Sequence, residues 1–142
     1  MKTLWILRTF LVLHAVAVAA QPVLAGSYLS GQYDALAGHE LNAFVVQGLC
    51  VFSLFAAVAY WLIGRGRGWP ALMLLLVEVV EQVQAGFGYE RLLAWHIPLG
   101  VAIVLVAIWL AAWSFTARAR RTRPPRRRRA AKRAPVLEEV PA

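Results

Sequence analysis

Trp95-His96-Ile97-Pro98-Leu99-Gly100-Val101-Ala102-Ile103-Val104-Leu105-Val106-Ala107-Ile108-Trp109-Leu110-Ala111-Ala112-Trp113-Ser114-Phe115 is the stretch that decides the fold. It carries no Asp, Glu, Lys or Arg. A helix rises about 1.5 Å per residue, and about 20 apolar residues cross the hydrocarbon core of a bilayer. A run this long and uncharged therefore reads as a membrane-spanning helix. Trp95 and Trp113 lie near its ends, where an apolar ring with one N–H prefers the interface.

Three more runs of this kind precede it: about 9–29, about 41–63 and about 70–87. The second helix is free to begin as early as Asp34. Trp61 and Trp69 mark further interfaces. The chain has 142 residues, of which 61% are hydrophobic, so four crossings account for nearly all of its apolar content. The connections are short. Gly64-Arg65-Gly66-Arg67-Gly68 joins spans two and three, and residues 88–93 join spans three and four. Short loops force antiparallel neighbours. The predicted fold is an all-α, four-helix transmembrane bundle, up-down-up-down, over residues 1–115, followed by a disordered Arg/Pro-rich tail over 116–142.

Charge sets the expected orientation. The formal net charge is +8, but ten of the fifteen Lys and Arg lie between Arg118 and Arg133. Lys2, Arg8, Arg65, Arg67 and that tail fall on one side of the membrane, and Arg91 falls on the other. Basic residues are retained on the cytoplasmic side. The expectation is a multi-pass protein of the bacterial plasma membrane with both termini cytoplasmic. Met1 to Ala20 also suits a secretory signal with an Ala-x-Ala site at Ala17-Val18-Ala19, although the apolar run continues to Leu29, as an uncleaved span would. The tail is too polar to fold. Its expected partners are the bilayer itself and anionic lipid head groups, at about 1 kcal/mol per basic residue near the surface. A basic tail of this kind carries no specific mark of nucleic-acid binding.

Ionisable groups inside spans are costly, so each asks for a partner. His14 lies near the middle of span one. Glu78 lies near the middle of span three, with Glu81 and Gln82 one turn further along. Leu74, Glu78, Glu81, Gln82 and Ala85 share a helix face, which is expected to point into the bundle. His14 and Glu78 are expected at similar depth, where a hydrogen bond would lower the cost of both. The set His14, Glu78, Glu81 and Gln82 reads as either a helix-holding polar network or a proton path. Cys50, the only cysteine, reads as a small buried hydrophobe. One cysteine offers no zinc or iron–sulfur spacing.

His39 and His96 carry the sharper expectation. Each follows a Gln…Gly stretch (Gln21 to Gly26, Gln82 to Gly86), and each is followed four residues later by a small residue, Ala43 or Gly100. They open alternate spans at the same bilayer face. In an antiparallel bundle, spans two and four can lie diagonally across the core, with two imidazoles at matching depth. Such a pair can hold haem b, with Ala43 and Gly100 leaving room for the macrocycle. Arg91, on the same side, is a candidate donor to a haem propionate, as are Tyr28 and Tyr33.

These motifs resemble one four-helix half of the haem A synthase family. Gln82-x-x-x-Gly86 and His39-x-x-x-Ala43 match that look as written; Gln21 to Gly26 is one residue longer, and Gly100 stands where alanine is usual. The resemblance covers roughly residues 10–115. It implies a haem site at His39 and His96. It does not imply haem A synthesis, because the chain has half the family's length, lacks the loop cysteine pair, and has no match for the acidic residue on the first helix pair. Small four-helix bacterial membrane proteins also look like this. The chain has no nucleophile–base set, phosphate loop or metal-cluster motif, so the reading leans away from an enzyme. It favours a cytochrome b-like protein for electron transfer or haem handling, with a redox or membrane-protein partner and a homodimer as open expectations. The alternatives are a cofactor-free structural or assembly subunit, and a small proton-coupled transporter using His14 and Glu78.

Overall fold

The computed structural model describes residues 2–124. Among the described residues there are four long helices: α1 (Lys2–Leu29), α2 (Ala35–Leu62), α3 (Trp69–Tyr89) and α4 (Leu93–Ser114). A four-residue helix, α5 (Ala117–Arg120), follows. All four long helices are long and apolar enough to cross a membrane. α1 starts seven residues, and α2 six residues, ahead of the runs expected from hydrophobicity. A helix continues through the interface for as long as its backbone bonds do, whereas apolar composition counts only the hydrocarbon segment.

The helices form a ring. α1 packs on α2 and α4, and α3 packs on the same two, so α1 faces α3 across one diagonal and α2 faces α4 across the other. Both ends of the described chain lie together, where Arg8 of α1 meets Ser114 of α4. This is the terminal end; the α1–α2 and α3–α4 loops form the distal end. Apolar side chains cover the outside of the ring, with Phe55 66%, Leu72 71% and Leu105 63% exposed. Such faces suit a lipid environment, which is as apolar as leucine. Association within the ring therefore rests on close packing and polar contacts rather than on a hydrophobic drive.

Side-chain size grades along the bundle axis. Near the terminal end the core sets leucines and rings (Leu4, Leu7, Leu11, Tyr60, Leu74, Leu110 and Trp113) against small residues, among them Ala56, Ala57 and Ala71. Trp113 stacks edge-on against Tyr60 and Trp69. Toward the distal end the core shrinks to Ala15, Ala17, Val18, Val46, Ile103 and Ala107. The distal cavity opens beside this smaller cluster, with Val18, Val46 and Ile103 on its wall.

The terminal end is tied by polar contacts. The Arg8 guanidinium is 4% exposed. Its Nε–H donates to the Ser114 carbonyl at 2.9 Å, and it lies over the Trp5 and Phe115 rings at 4.6 and 4.9 Å. The expected disorder from residue 116 onward does not hold for its first part. The Tyr60 hydroxyl donates to the Ala119 carbonyl at 2.8 Å. Arg123 donates through its backbone N–H to Arg65 and through Nη2 to the Trp61 carbonyl, each at 2.8 Å. Backbone acceptors left over at the α2–α3 turn give this Arg-rich segment something to bind, which composition alone does not reveal. The expectation of disorder over 125–142 lies outside the described residues.

Both distal hairpins leave their first helix by the same hydrogen-bonded turn. After α1, Gly31 N–H bonds to Tyr28 and Gln32 N–H to Ser27; after α3, Arg91 N–H bonds to Gly88 and Leu92 N–H to Phe87. This is a Schellman ending, whose pivot takes the left-handed conformation. Gly31 does so at φ +94° and Arg91 at φ +56°. Glycine bears that conformation without penalty, while an L side chain is strained by about 1–2 kcal/mol. Open space surrounds the Gly31 Cα, so a methyl there would meet nothing. Gly31→Ala should then destabilise by about 1 kcal/mol and Arg91→Gly should stabilise by a similar amount. Reversible unfolding in mixed micelles with increasing dodecyl sulfate measures both shifts.

Candidate functional site

The space at the distal end is a cavity of about 390 Å³. That lies within the range of small-molecule and cofactor sites, which are mostly apolar with a few placed polar groups. Ala25, Gly26, Ala43, Ala85 and Gly100 give it room, and Gln21, His39, Gln84 and His96 supply polar atoms. Ala43 and Gly100 thus sit where the sequence places them, beside the histidines.

His39 and His96 meet across the α2–α4 diagonal. Their ring centroids are 6.2 Å apart, with planes inclined by 59°. Each is steered by the helix before it. His39 Nδ1 lies 3.2 Å from the Gln21 carbonyl oxygen. His96 Nδ1 lies 2.8 Å from the Gln84 carbonyl oxygen. A carbonyl only accepts, so both Nδ1 atoms carry the proton and both Nε2 atoms present a lone pair. The side-chain amide of Gln84 donates to His96 Nε2 at 3.2 Å and reaches the His96 carbonyl at 3.4 Å.

The two hairpins are therefore related, in a register that differs from the sequence expectation. The partner of His96 is Gln84, not Gln82. Ten residues lead from Gln21 to the pivot Gly31, and eight more to His39. Seven lead from Gln84 to the pivot Arg91, and five more to His96. The second hairpin is shorter by about one turn on each arm, and equal shortening leaves the histidine–glutamine pairing intact. Gly88, not Gly86, is the glycine that matters. A Cβ at Gly88 would lie 2.8 Å from His96 Cε1 and 2.9 Å from Nδ1, whereas one at Gly86 would meet nothing within 4 Å.

A second polar layer crosses the other diagonal. His14 Nε2 of α1 lies 2.8 Å from Glu81 Oε1 of α3, with the two side chains 0% and 4% exposed. The expected His14–Glu78 pairing is not what forms. Glu81 points inward and takes His14, while Glu78 accepts a bond from Gln82 at 3.0 Å. The shared inward face also splits. Leu74, Val77 and Glu81 are buried, Glu78 and Ala85 half-buried, and Gln82 exposed, where it accepts from Gln47 at 3.4 Å. One helix face spans too wide an arc to bury Glu81 and Gln82 together, since neighbours in sequence differ by about 100°.

Arg91 is exposed at the hairpin pivot and does not line the cavity. Tyr28 and Tyr33 pack edge-on with centroids 6.1 Å apart, and Tyr89 donates to Glu40 at 2.9 Å, tying α3 to α2. Sequence reasoning missed Gln21 and Gln84 as histidine anchors, Gly88 as the clearance beside His96, and Asn42, whose amide donates to the Ala17 carbonyl at 2.8 Å. The Gln…Gly motif held that signal, since a second Gln-x-x-x-Gly, Gln84 to Gly88, overlaps the one first read.

A scan against protein-family models finds no match, and neither the curated proteins nor the solved structures yield one.

Two outcomes follow from this geometry. Gly88→Ala should displace the His96 ring and change its NMR chemical shifts, while Gly86→Ala should leave them unchanged. His14→Ala should destabilise the bundle by about 3 kcal/mol, because it strands a buried carboxyl. Glu78→Gln, at a half-buried position, should cost under about 1 kcal/mol. The same micellar unfolding titration ranks the two.

Proposed function

We propose that the chain is an integral membrane, cytochrome b-like protein that binds one haem b through His39 and His96, for electron transfer or haem handling. One observation carries the reading. Two imidazoles from alternate helices, each with Nδ1 bonded to a carbonyl oxygen, lie with ring centroids 6.2 Å apart on the wall of an apolar cavity. A metal ligated by two imidazole nitrogens at about 2 Å each sets their ring centres roughly 6 Å apart. The spacing of 6.2 Å agrees with that. An N–H held by a carbonyl is the usual support of a metal-ligating histidine, since it fixes the tautomer and raises basicity. Bound there, haem iron would exchange one electron between its ferric and ferrous states.

Within this reading the chain's own residues have defined parts. Gln21 and Gln84 orient the ligands. Gly88 clears the back of His96, and Ala43 and Gly100 clear the front. The Gln84 amide, resting on His96 Nε2, turns aside when that nitrogen is taken. The four apolar helices are consistent with a multi-pass membrane protein. The distribution of Lys and Arg supports the bacterial plasma membrane with termini and basic tail on the cytoplasmic side, and the cavity on the opposite side. The basic tail would rest on anionic lipid head groups. An electron-transfer role needs a redox partner in or on the membrane, and a homodimer would rebuild an eight-helix assembly of the haem A synthase kind.

A cofactor-free assembly subunit is the second reading, favoured by the Gln84 amide already satisfying His96 Nε2. Absorption spectroscopy separates the two. Protein purified in detergent, or given haem, should be red with the sharp bands of low-spin, six-coordinate iron. His39→Ala and His96→Ala should each abolish those bands, and Gly88→Ala should weaken haem binding at least tenfold. A preparation that stays colourless on adding haem refutes the proposal and leaves the assembly subunit.

A further inference from the structure

The His14–Glu81 pair has a third neighbour. Cys50 of α2 brings its Sγ into the same buried pocket, and one donor atom each from His14, Cys50 and Glu81 lies within 4.8 Å of the other two. All three side chains are buried, with His14 and Cys50 at 0% exposure and Glu81 at 4%. Three helices contribute one donor each.

Their hydrogen-bond capacity is only partly used. His14 Nδ1 and Glu81 Oε2 are buried without a partner. The Cys50 thiol makes a long contact, 3.8 Å, to the Leu74 carbonyl and lies beside the Glu81 and Glu78 carboxylates. A buried polar atom without a partner is costly, and two in one pocket on interacting side chains ask for a shared cause. A helix clasp made of one hydrogen bond does not need the cysteine, and it leaves His14 Nδ1 without a partner.

We propose that His14, Cys50 and Glu81 form a binding site for a single zinc ion inside the bundle. Imidazole nitrogen, thiolate sulfur and carboxylate oxygen are the three zinc donor types, held at about 2.0–2.3 Å in a tetrahedron. Such donors sit roughly 3.5 Å apart around the ion, so the ion would part the His14–Glu81 contact of 2.8 Å and draw in the Cys50 sulfur, which lies within 4.8 Å of both. Charge selects the ion. A divalent cation offsets the one thiolate and one carboxylate that would ligate it, which favours it in a low-dielectric interior, while the neighbouring Glu78 is held by the Gln82 amide. A monovalent ion would leave the site negative. The Cys50 thiol releases its proton to solvent on binding. Sulfur and nitrogen donors disfavour magnesium and calcium, which take oxygen ligands. Glu81 also lines the distal cavity, so the cavity gives the ion a path in and leaves the fourth coordination position for water. The site is independent of the histidine pair, sharing with it only that cavity.

Cobalt(II) is the probe, because it occupies zinc sites and absorbs where zinc does not. Full-length protein in detergent, stripped with a chelator, is titrated with Co²⁺ and then with Zn²⁺. The expected result is one Co²⁺ per chain, a sulfur-to-cobalt charge-transfer band in the near ultraviolet, and displacement by one equivalent of Zn²⁺. Cys50→Ser should remove the band. Glu81→Gln keeps an acceptor for His14, so the fold persists, and it should lower Co²⁺ affinity at least a hundredfold. The His39→Ala, His96→Ala double variant should bind Co²⁺ as the parent does, which separates this outcome from the fate of the haem proposal. Wild-type protein that binds no Co²⁺, or a band that survives in Cys50→Ser, overturns the inference and leaves His14–Glu81 as a clasp between helices.

Discussion

The arrangement depends on one constraint: helices packed as a ring in lipid must satisfy their polar groups on one another rather than on lipid. Four antiparallel helices have two diagonals, and this chain uses both. His39 and His96 meet across α2–α4, and His14 and Glu81 across α1–α3. Lipid cannot solvate an imidazole or a carboxyl, so each polar side chain pulls its helix into a fixed rotation. The apolar exterior places no such demand. Rotation fixed at two depths also aligns the carbonyls of Gln21 and Gln84 with the histidines that need them.

Packing and site are linked by the size gradient in the core. Buried leucines and aromatic rings are confined to the terminal cluster, where they pack with alanines, and the buried distal cluster holds alanines, valines and Ile103. Small residues let helix backbones approach in membranes, but here the distal end keeps a cavity. Strain at Arg91, held at positive φ, is the local cost of ending α3 in the same way as α1. The equivalent pivot, Gly31, bears that conformation without strain. The likeness of the hairpins therefore lies in backbone hydrogen bonds more than in residue identity.

Much of the fold was legible. Hydropathy length gives four helices, short loops give their antiparallel order, and together they put spans two and four on a diagonal. The spacing of His39 and His96 after their Gln…Gly stretches was enough to single out both residues, along with Ala43 and Gly100. What the sequence withheld was rotational register. A difference of one position on α3 swaps Glu81 for Gln82, or Gln84 for Gln82, and hydrophobicity does not resolve steps of about 100° in a helix that is apolar on nearly every side. The meeting of His14, Cys50 and Glu81 was hidden for a further reason. Three residues from three helices have no shared motif, and their proximity exists only once all three rotations are set. Arg91 was read by charge alone, whereas its backbone geometry places it at an exposed pivot.

The tautomers of the two distal histidines test the central claim most directly. Nitrogen-15 NMR of histidine-labelled protein in lipid bilayers, assigned with His14→Gln, distinguishes protonated from bare ring nitrogens. The account predicts that His39 and His96 are both protonated at Nδ1 and bare at Nε2, with the Nε2 resonances the ones altered when haem is added. Protonation at Nε2 with a bare Nδ1 on either ring would contradict it, because that ring could not be held by its carbonyl.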